Sequence, residues 1–259
     1  MKQFYLIVSF ILVFNSQQAT AQNDTIYFWK GGVLDLKKSI KTADLDSITF
    51  KRPVAAMPNV TTIGTQVWTT KNLEVTTYSD GTVIPQVTDP TAWANLTTGA
   101  WCYYNNDSAT GTTYGKLYNW YAVVGIWNEA SKTDVTQRKK LAPTGYHIPS
   151  DAEWTTLTTY LGGEGVAGGK MKSTGTSLWN TPNTGATNSS GFTGLPGGYR
   201  DSNGPFNAIG YNGYWWSSSE ANTPYTTFAW TRYLYYGNGF AFRASFTKNF
   251  GFSVRCLRD

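Results

Sequence analysis

Cysteine, histidine and charge are all scarce in this chain, and each scarcity narrows what it can do. Among 259 residues there are two cysteines and one histidine. A Ser/His/Asp triad would have to be built on His147, and Ser150 is accounted for as a helix cap, so His147 is expected to anchor the loop before that helix. Charged residues make up 14% of the chain. The paired carboxylates of a glycoside hydrolase could come from Glu153, Glu164, Asp201 or Glu220, but Glu153 has a capping role and the others fall in turns. No catalytic residue is expected. The net charge is +5, yet its basic residues are scattered, and the clusters Lys37-Lys38 with Lys41 and Arg138-Lys139-Lys140 do not interleave with a reader motif. No nucleic-acid partner is expected. Gly162-Gly163 and Gly197-Gly198 lack the following helix or lysine of a phosphate-cradling loop.

Long apolar runs are also missing, except at the start. Lys2 precedes the run Phe4 to Phe14, and Ala19-Thr20-Ala21 offers the small-x-small pattern of signal peptidase, so residues 1–21 read as a cleaved secretory signal. The run is about half the ~20 residues of a spanning helix. No Cys lies near the cleavage site, which argues against lipoprotein attachment. The mature chain is expected to have no membrane span and to be exported, whether periplasmic, at the cell surface or secreted. In such an oxidising compartment Cys102 and Cys256 are expected to pair in a disulfide closing a long loop; two separately buried thiols are the alternative.

What the chain does have is aromatic: 11 Trp, 17 Tyr and 13 Phe, with 26 Gly and 10 Pro. That balance predicts a turn-rich, strand-rich protein. Residues 22–58 form a short β-type segment and linker, with runs at Thr25 to Trp29, Val33 to Leu36 and Ile48 to Phe50 and two prolines, Pro53 and Pro58. The main domain, 59–259, opens on β-prone runs around Gly64, followed by a polar stretch, Thr76 to Gly99, that reads as loop. Leu117, Trp120, Tyr121 and Val124 predict a short helix over 117–124. A second helix is better signed: Ser150 and Glu153 make a capping box, Trp154, Leu157 and Leu161 a buried stripe, and Gly162-Gly163 a stop. From Gly162 to Gly191 the chain reads as long loops held by Met171, Leu178 and Trp179.

The last fifth is the most unusual stretch. Gly213-Tyr214-Trp215-Trp216-Ser217-Ser218 and Gly251-Phe252-Ser253-Val254-Arg255-Cys256-Leu257 read as buried frame. Between them, aromatics stand beside Ala, Ser and Gly with almost no aliphatic residues. Alternation places Phe228, Trp230 and Leu234 on one face and Ala229, Thr231, Tyr233 and Tyr235 on the other, and Gly237-Asn238-Gly239 signals a hairpin turn. Large flat rings beside small polar residues are the mixture favoured in binding surfaces. Tyr225, Phe228, Tyr236, Asn238, Phe240, Phe242, Ser245 and Phe246 are therefore the candidate ligand-binding residues, with a core sheet layer as the alternative.

Five ordered blocks carry a resemblance: Lys116-Leu117-Tyr118-Asn119-Trp120, Pro143 to Trp154, Leu195-Pro196-Gly197-Gly198-Tyr199-Arg200, Gly213 to Ser218, and Gly251 to Asp259. Together they resemble the Fibrobacter succinogenes major paralogous domain family from about Val60 to Asp259. The resemblance implies an α+β, C-type-lectin-like domain, with two short helices, a small antiparallel sheet and long loops, preceded by the short β-type appendage. It implies no settled activity. The related formylglycine-generating oxidases need reactive thiols, and the calcium motifs of lectins of this class are not matched by Trp127-Asn128-Glu129 or Thr181-Pro182-Asn183. No cofactor or metal is expected, with calcium on loop carbonyls left open. The functional expectation is an exported, non-catalytic binding or adhesion module engaging an extracellular glycan or surface protein through 225–246. A structural cell-envelope protein is the alternative, and a carbohydrate-active enzyme the third reading.

Overall fold

A computed structural model describes residues 24–30, 33–40, 59–221 and 227–259; the expected signal at 1–21, the run Ile48 to Phe50 and Tyr225 lie outside them. The chain divides into two units, Met1–Pro53 and Val54–Asp259. In the first, β1 (Asp24–Lys30) and β2 (Val33–Ile40) pair antiparallel, with an irregularity between Phe28 and Trp29.

The second unit mixes helix and sheet. A four-stranded sheet has the order β3 (Val60–Ile63), β4 (Gln66–Thr69), β13 (Leu257–Arg258), β7 (Tyr146–His147). The large sheet has the order β12 (Ala241–Thr247), β11 (Phe228–Tyr235), β10 (Asn212–Glu220), β8 (Gly197–Arg200), β9 (Phe206–Ile209). It is not wholly antiparallel as expected, because β10 runs parallel to β8. β5 (Trp101–Cys102) and β6 (Leu117–Tyr118) form a small ladder.

Six α-helices stand among the described residues where two were expected. Four are too short for hydrophobic periodicity to reveal: α1 (Pro90–Ala94), α2 (Ser108–Tyr114), α3 (Trp120–Val123) and α4 (Ala130–Thr133). Asp89, Asp107 and Asn119 start the first three by accepting hydrogen bonds from backbone N–H groups. The helix expected over 117–124 thus shrinks to α3, since Leu117 and Tyr118 are committed to β6. α5 (Asp151–Tyr160) follows its signals: Ser150 and Glu153 form the reciprocal cap, and Trp154 and Leu157 are fully buried.

The loop expected from Gly162 contains a helix, α6 (Glu164–Met171). Its sequence, Glu-Gly-Val-Ala-Gly-Gly-Lys-Met, has three poor helix formers. Two of them are needed for contact. A Cβ on Gly168 would lie 2.0 Å from the Phe240 carbonyl oxygen, and one on Gly169 would lie 2.4 Å from that of Gly185. The helix backbone lies directly on the turn before β12, and Gly169 N–H donates to the Gly239 carbonyl at 2.9 Å. Just past the helix, the buried Lys172 donates to the carbonyls of Thr184, Asn238 and Tyr235 at 2.8, 2.8 and 3.1 Å. Burial pulls its ammonium down to about 8.

The frame blocks are buried as read except at Tyr214 and Ser218, which are half-buried, and the polar atoms of the buried residues are paired. Trp215 and Trp216 point to opposite faces of β10 into two separate cores, donating to the Asn72 side chain and the Tyr118 carbonyl. Arg200 and Arg255 are fully buried cations satisfied mainly by carbonyl oxygens. Arg200 reaches Val87, Thr88 and Gly204, and Arg255 reaches Thr69, Phe192, Thr193 and the Asn72 side chain. Each sews the late sheet to earlier loops. The expected disulfide is not formed. Cys102 and Cys256 are free, fully buried thiols in different core clusters. Burial pushes both up to about 12.

Candidate functional site

Register, more than alternation alone, decides what the aromatic stretch presents. Tyr236 to Phe240 joins β11 to β12, and the pairs Tyr233↔Phe242, Thr231↔Ala244 and Ala229↔Phe246 follow. On the other side of β11, Tyr233 pairs with Tyr214 and Thr231 with Trp216. One face of the sheet therefore carries Tyr214, Trp216, Tyr233, Phe242 and Phe246. The opposite face carries Trp215, Phe228, Trp230, Leu234, Arg243 and Ser245. The parity read from the sequence holds, but burial does not follow one face: Ala229 and Thr231 are buried on the first, Arg232 and Leu234 on the second. The sheet separates two cores at different points along its strands.

On the first face the rings stack across strands. Phe252, fully buried, lies 4.9 Å from Tyr214 with the planes 13° apart. Tyr214 lies 5.0 Å from Tyr233, and Tyr233 lies 4.6 Å from Phe242 at 11°. Tyr199 of β8 meets Tyr214 edge-on at 5.2 Å, while Phe246 and Phe250 close the lower side. Tyr199, Tyr214, Tyr233, Phe242, Phe246 and Phe250 are all half-buried. In such a row each inner ring covers its neighbour's face, so what the row offers outward is ring edges and the phenol groups of Tyr199 and Tyr233, while that of Tyr214 is largely buried. Burial raises the phenol pKa values of Tyr199, Tyr214 and Tyr233 above the ordinary 10, at which a phenol is already protonated at neutral pH. At the end of the row, on edge strand β12, Phe242 is flanked by Phe240, 5.5 Å away and tilted 59°. Phe240 is 46% exposed.

Of the eight residues singled out from the sequence, Phe242 and Phe246 lie in this row and Phe240 at its tip. Phe228 and Ser245 are on the opposite face, where Arg243 stacks on Trp230 at 3.3 Å and grips Asp151 with both carboxylate oxygens. Tyr236 and Asn238 belong to the turn: Tyr236 packs edge-on to Tyr211 and Tyr235, and the Asn238 side chain accepts from Phe240 N–H. Tyr225 lies outside the described residues. Tyr214, Tyr199 and Phe250 were missed because their pairing is long-range. Tyr233 opposite Phe242 was legible in principle, since a turn centred on Asn238 sets that register.

His147 makes no triad. Its Nδ1 faces Asp259 at 2.7 Å and its Nε2 faces Glu153 at 2.8 Å, while Ser150 Oγ donates to Glu153. Burial pulls this imidazole down, but the carboxylates of Asp259 and Glu153 outweigh it, and its pKa lies above the ordinary 6.5. Among the described residues no group of three or more His, Cys, Asp or Glu could hold a metal ion, and no helix is long and apolar enough to cross a membrane.

No curated protein and no solved structure matches the chain. Residues 61–258, nearly the whole second unit, match the Fibrobacter succinogenes major domain, and the chain belongs to that family.

Proposed function

We propose that this chain is an exported, non-catalytic binding or adhesion module that engages an extracellular glycan or surface protein through the aromatic row of the large sheet. The observation that carries the reading is the exposure of that row. A sheet serving only as core would bury its rings, whereas Phe240 is exposed and Tyr233, Phe242 and Phe246 are half-buried on one contiguous face. Export is inferred from the signal pattern of residues 1–21. The second unit is read as a C-type-lectin-like domain on the resemblance of its blocks, together with the two longer helices, α5 and α6, packed beside a sheet that ends in an edge hairpin.

The row is a rigid surface of ring edges and hydroxyls. Such a surface gives contact area at little cost in side-chain entropy, because stacked neighbours already hold the rotamers. Tyr233→Ala and Phe242→Ala should each weaken capture on an array of glycans and cell-surface proteins about tenfold or more, ~1.4 kcal/mol. Unchanged capture by both variants, with circular dichroism intact, would sink the assignment of this face.

A further inference from the structure

Beside the exposed tip of the aromatic row lies an open cleft of about 380 Å³, within the range of small-ligand sites. One wall is α6, through Gly165, Gly169 and Lys170, and the other is the loop carrying Thr187 and Ser189, with Gly239 of the hairpin turn at the base. The glycines set its shape. α6 approaches so closely that only hydrogen atoms fit toward Phe240 and Gly185, leaving the backbone itself as the floor. Around this floor stand three kinds of group. The Phe240 ring reaches to 4.0 Å from the Cβ position of Gly165, and Val166 on the same rim is 51% exposed, so the entrance has an apolar shelf. The hydroxyls of Thr187 and Ser189 bond each other at 3.2 Å, and both residues are solvent-exposed. The third kind is cationic.

Lys170 Nζ donates to the Leu161 carbonyl at 2.8 Å, which leaves two ammonium hydrogens for another acceptor. Lys172, two residues on and fully buried, is held by three carbonyls and does not line the cleft. Among the described residues neither lysine has a carboxylate within ion-pair distance. The nearest acid along the helix, Glu164, acts electrostatically on Arg232 and does not line the cleft. A cleft whose lining includes the cation of Lys170 and no carboxylate favours an anionic group.

We infer that this cleft is a subsite for an anionic sugar unit, a uronate or a sulfated hexose, whose ring packs on the Phe240 and Val166 shelf, whose hydroxyls meet Thr187 and Ser189, and whose anionic group meets Lys170. The inference rests on the binding reading of the preceding section and names the chemistry of its ligand. It also explains why Phe240 is left exposed at the tip of an otherwise packed hairpin.

The test is calorimetric titration of the full chain with tetragalacturonate, its fully methyl-esterified form, a sulfated galactose tetramer and its desulfated form. At least one acidic oligomer should bind tenfold or more tightly than its neutral counterpart, with an advantage that shrinks as salt is raised. Lys170→Met should bring the acidic oligomer down to the neutral level, Lys170→Arg should restore it, and Phe240→Ala should weaken both forms. Equal binding of acidic and neutral forms, no binding of any of the four, or a folded Lys170→Met protein that still discriminates would each overturn the inference. If these oligomers fail while array capture still depends on Tyr233 and Phe242, the cleft assignment alone is wrong. If capture is lost from the wild type as well, the binding reading falls with it.

Discussion

At the scale of single residues, the polar groups are mostly clamps. Asp151 shows this best. It opens α5, where negative charge is favoured, and is held at once by the buried Arg232 at 2.6 Å and by Arg243 from the neighbouring strand at 2.8 Å. Burial opposes its ionisation, but the two guanidiniums outweigh it and its pKa falls below the ordinary value. His147 is a clamp of another kind. With a carboxylate at each ring nitrogen, only the doubly protonated imidazolium can donate to both. A base whose pKa rises on folding stabilises the native state fully below its unfolded value and loses that contribution as pH climbs through the folded one. The melting temperature should therefore fall as pH rises from about 6 to about 8, and His147→Gln should flatten that part of the profile. Because the side chain is 39% exposed, screening keeps the effect below about 1 kcal/mol. A wild-type profile as flat as that of the variant would show that the clamp contributes nothing.

At the scale of elements, α6 is the most instructive. Its glycines argued for loop, and in isolation they would be right, since each costs roughly 1 kcal/mol of helix stability. The helix forms because those glycines let two backbones meet. Two substitutions separate these effects. Gly165→Ala has its nearest neighbour at 4.0 Å and should stabilise by up to about 0.5 kcal/mol through helix propensity alone. Gly168→Ala would drive a methyl group into the Phe240 carbonyl and should destabilise by about 2 kcal/mol or more. Urea unfolding of the pair measures both, and equal midpoints would show that close packing is not what the glycines serve. β10 teaches the same lesson. Its register shifts between Trp216 and Glu220, and the serines there leave the ladder to serve neighbours. Ser217 accepts from Trp120, Ser218 donates to Pro149, and Ser219 accepts from Asp151 at the start of α5.

At the scale of the whole second unit, aromatic packing does what a cross-link was expected to do. The cores on either side of β10 are joined through Trp215 and Trp216, and the buried arginines tie distant loops to the sheet. The thiols take no part as a bridge. A thiol reagent should find no reactive cysteine in the native protein and two after unfolding without reductant, and reductant should leave the melting temperature unchanged. No thiol in the unfolded, unreduced protein would restore the disulfide.

Much of the framework was legible in the sequence alone. The capping box at Ser150, the Trp215 and Trp216 frame, the hairpin turn at Asn238 and membership of the family all depend on neighbours in the chain or on a fixed order of motifs, and local rules suffice for those. The aromatic character of the last fifth was equally plain. Which of its rings share a surface was not, because that depends on Tyr214 and Phe252 arriving beside Tyr233 and Phe242 from other strands. Register fixed by long-range pairing is invisible to a local pattern. Likewise α6 exists only against the turn that carries Phe240, so the cleft between them had no signature in sequence order. The sequence determined that this protein would be built and faced with aromatics. Tertiary structure alone decided which of them are stacked into a row, which are buried as frame and that Phe240 is left exposed at the edge of the cleft.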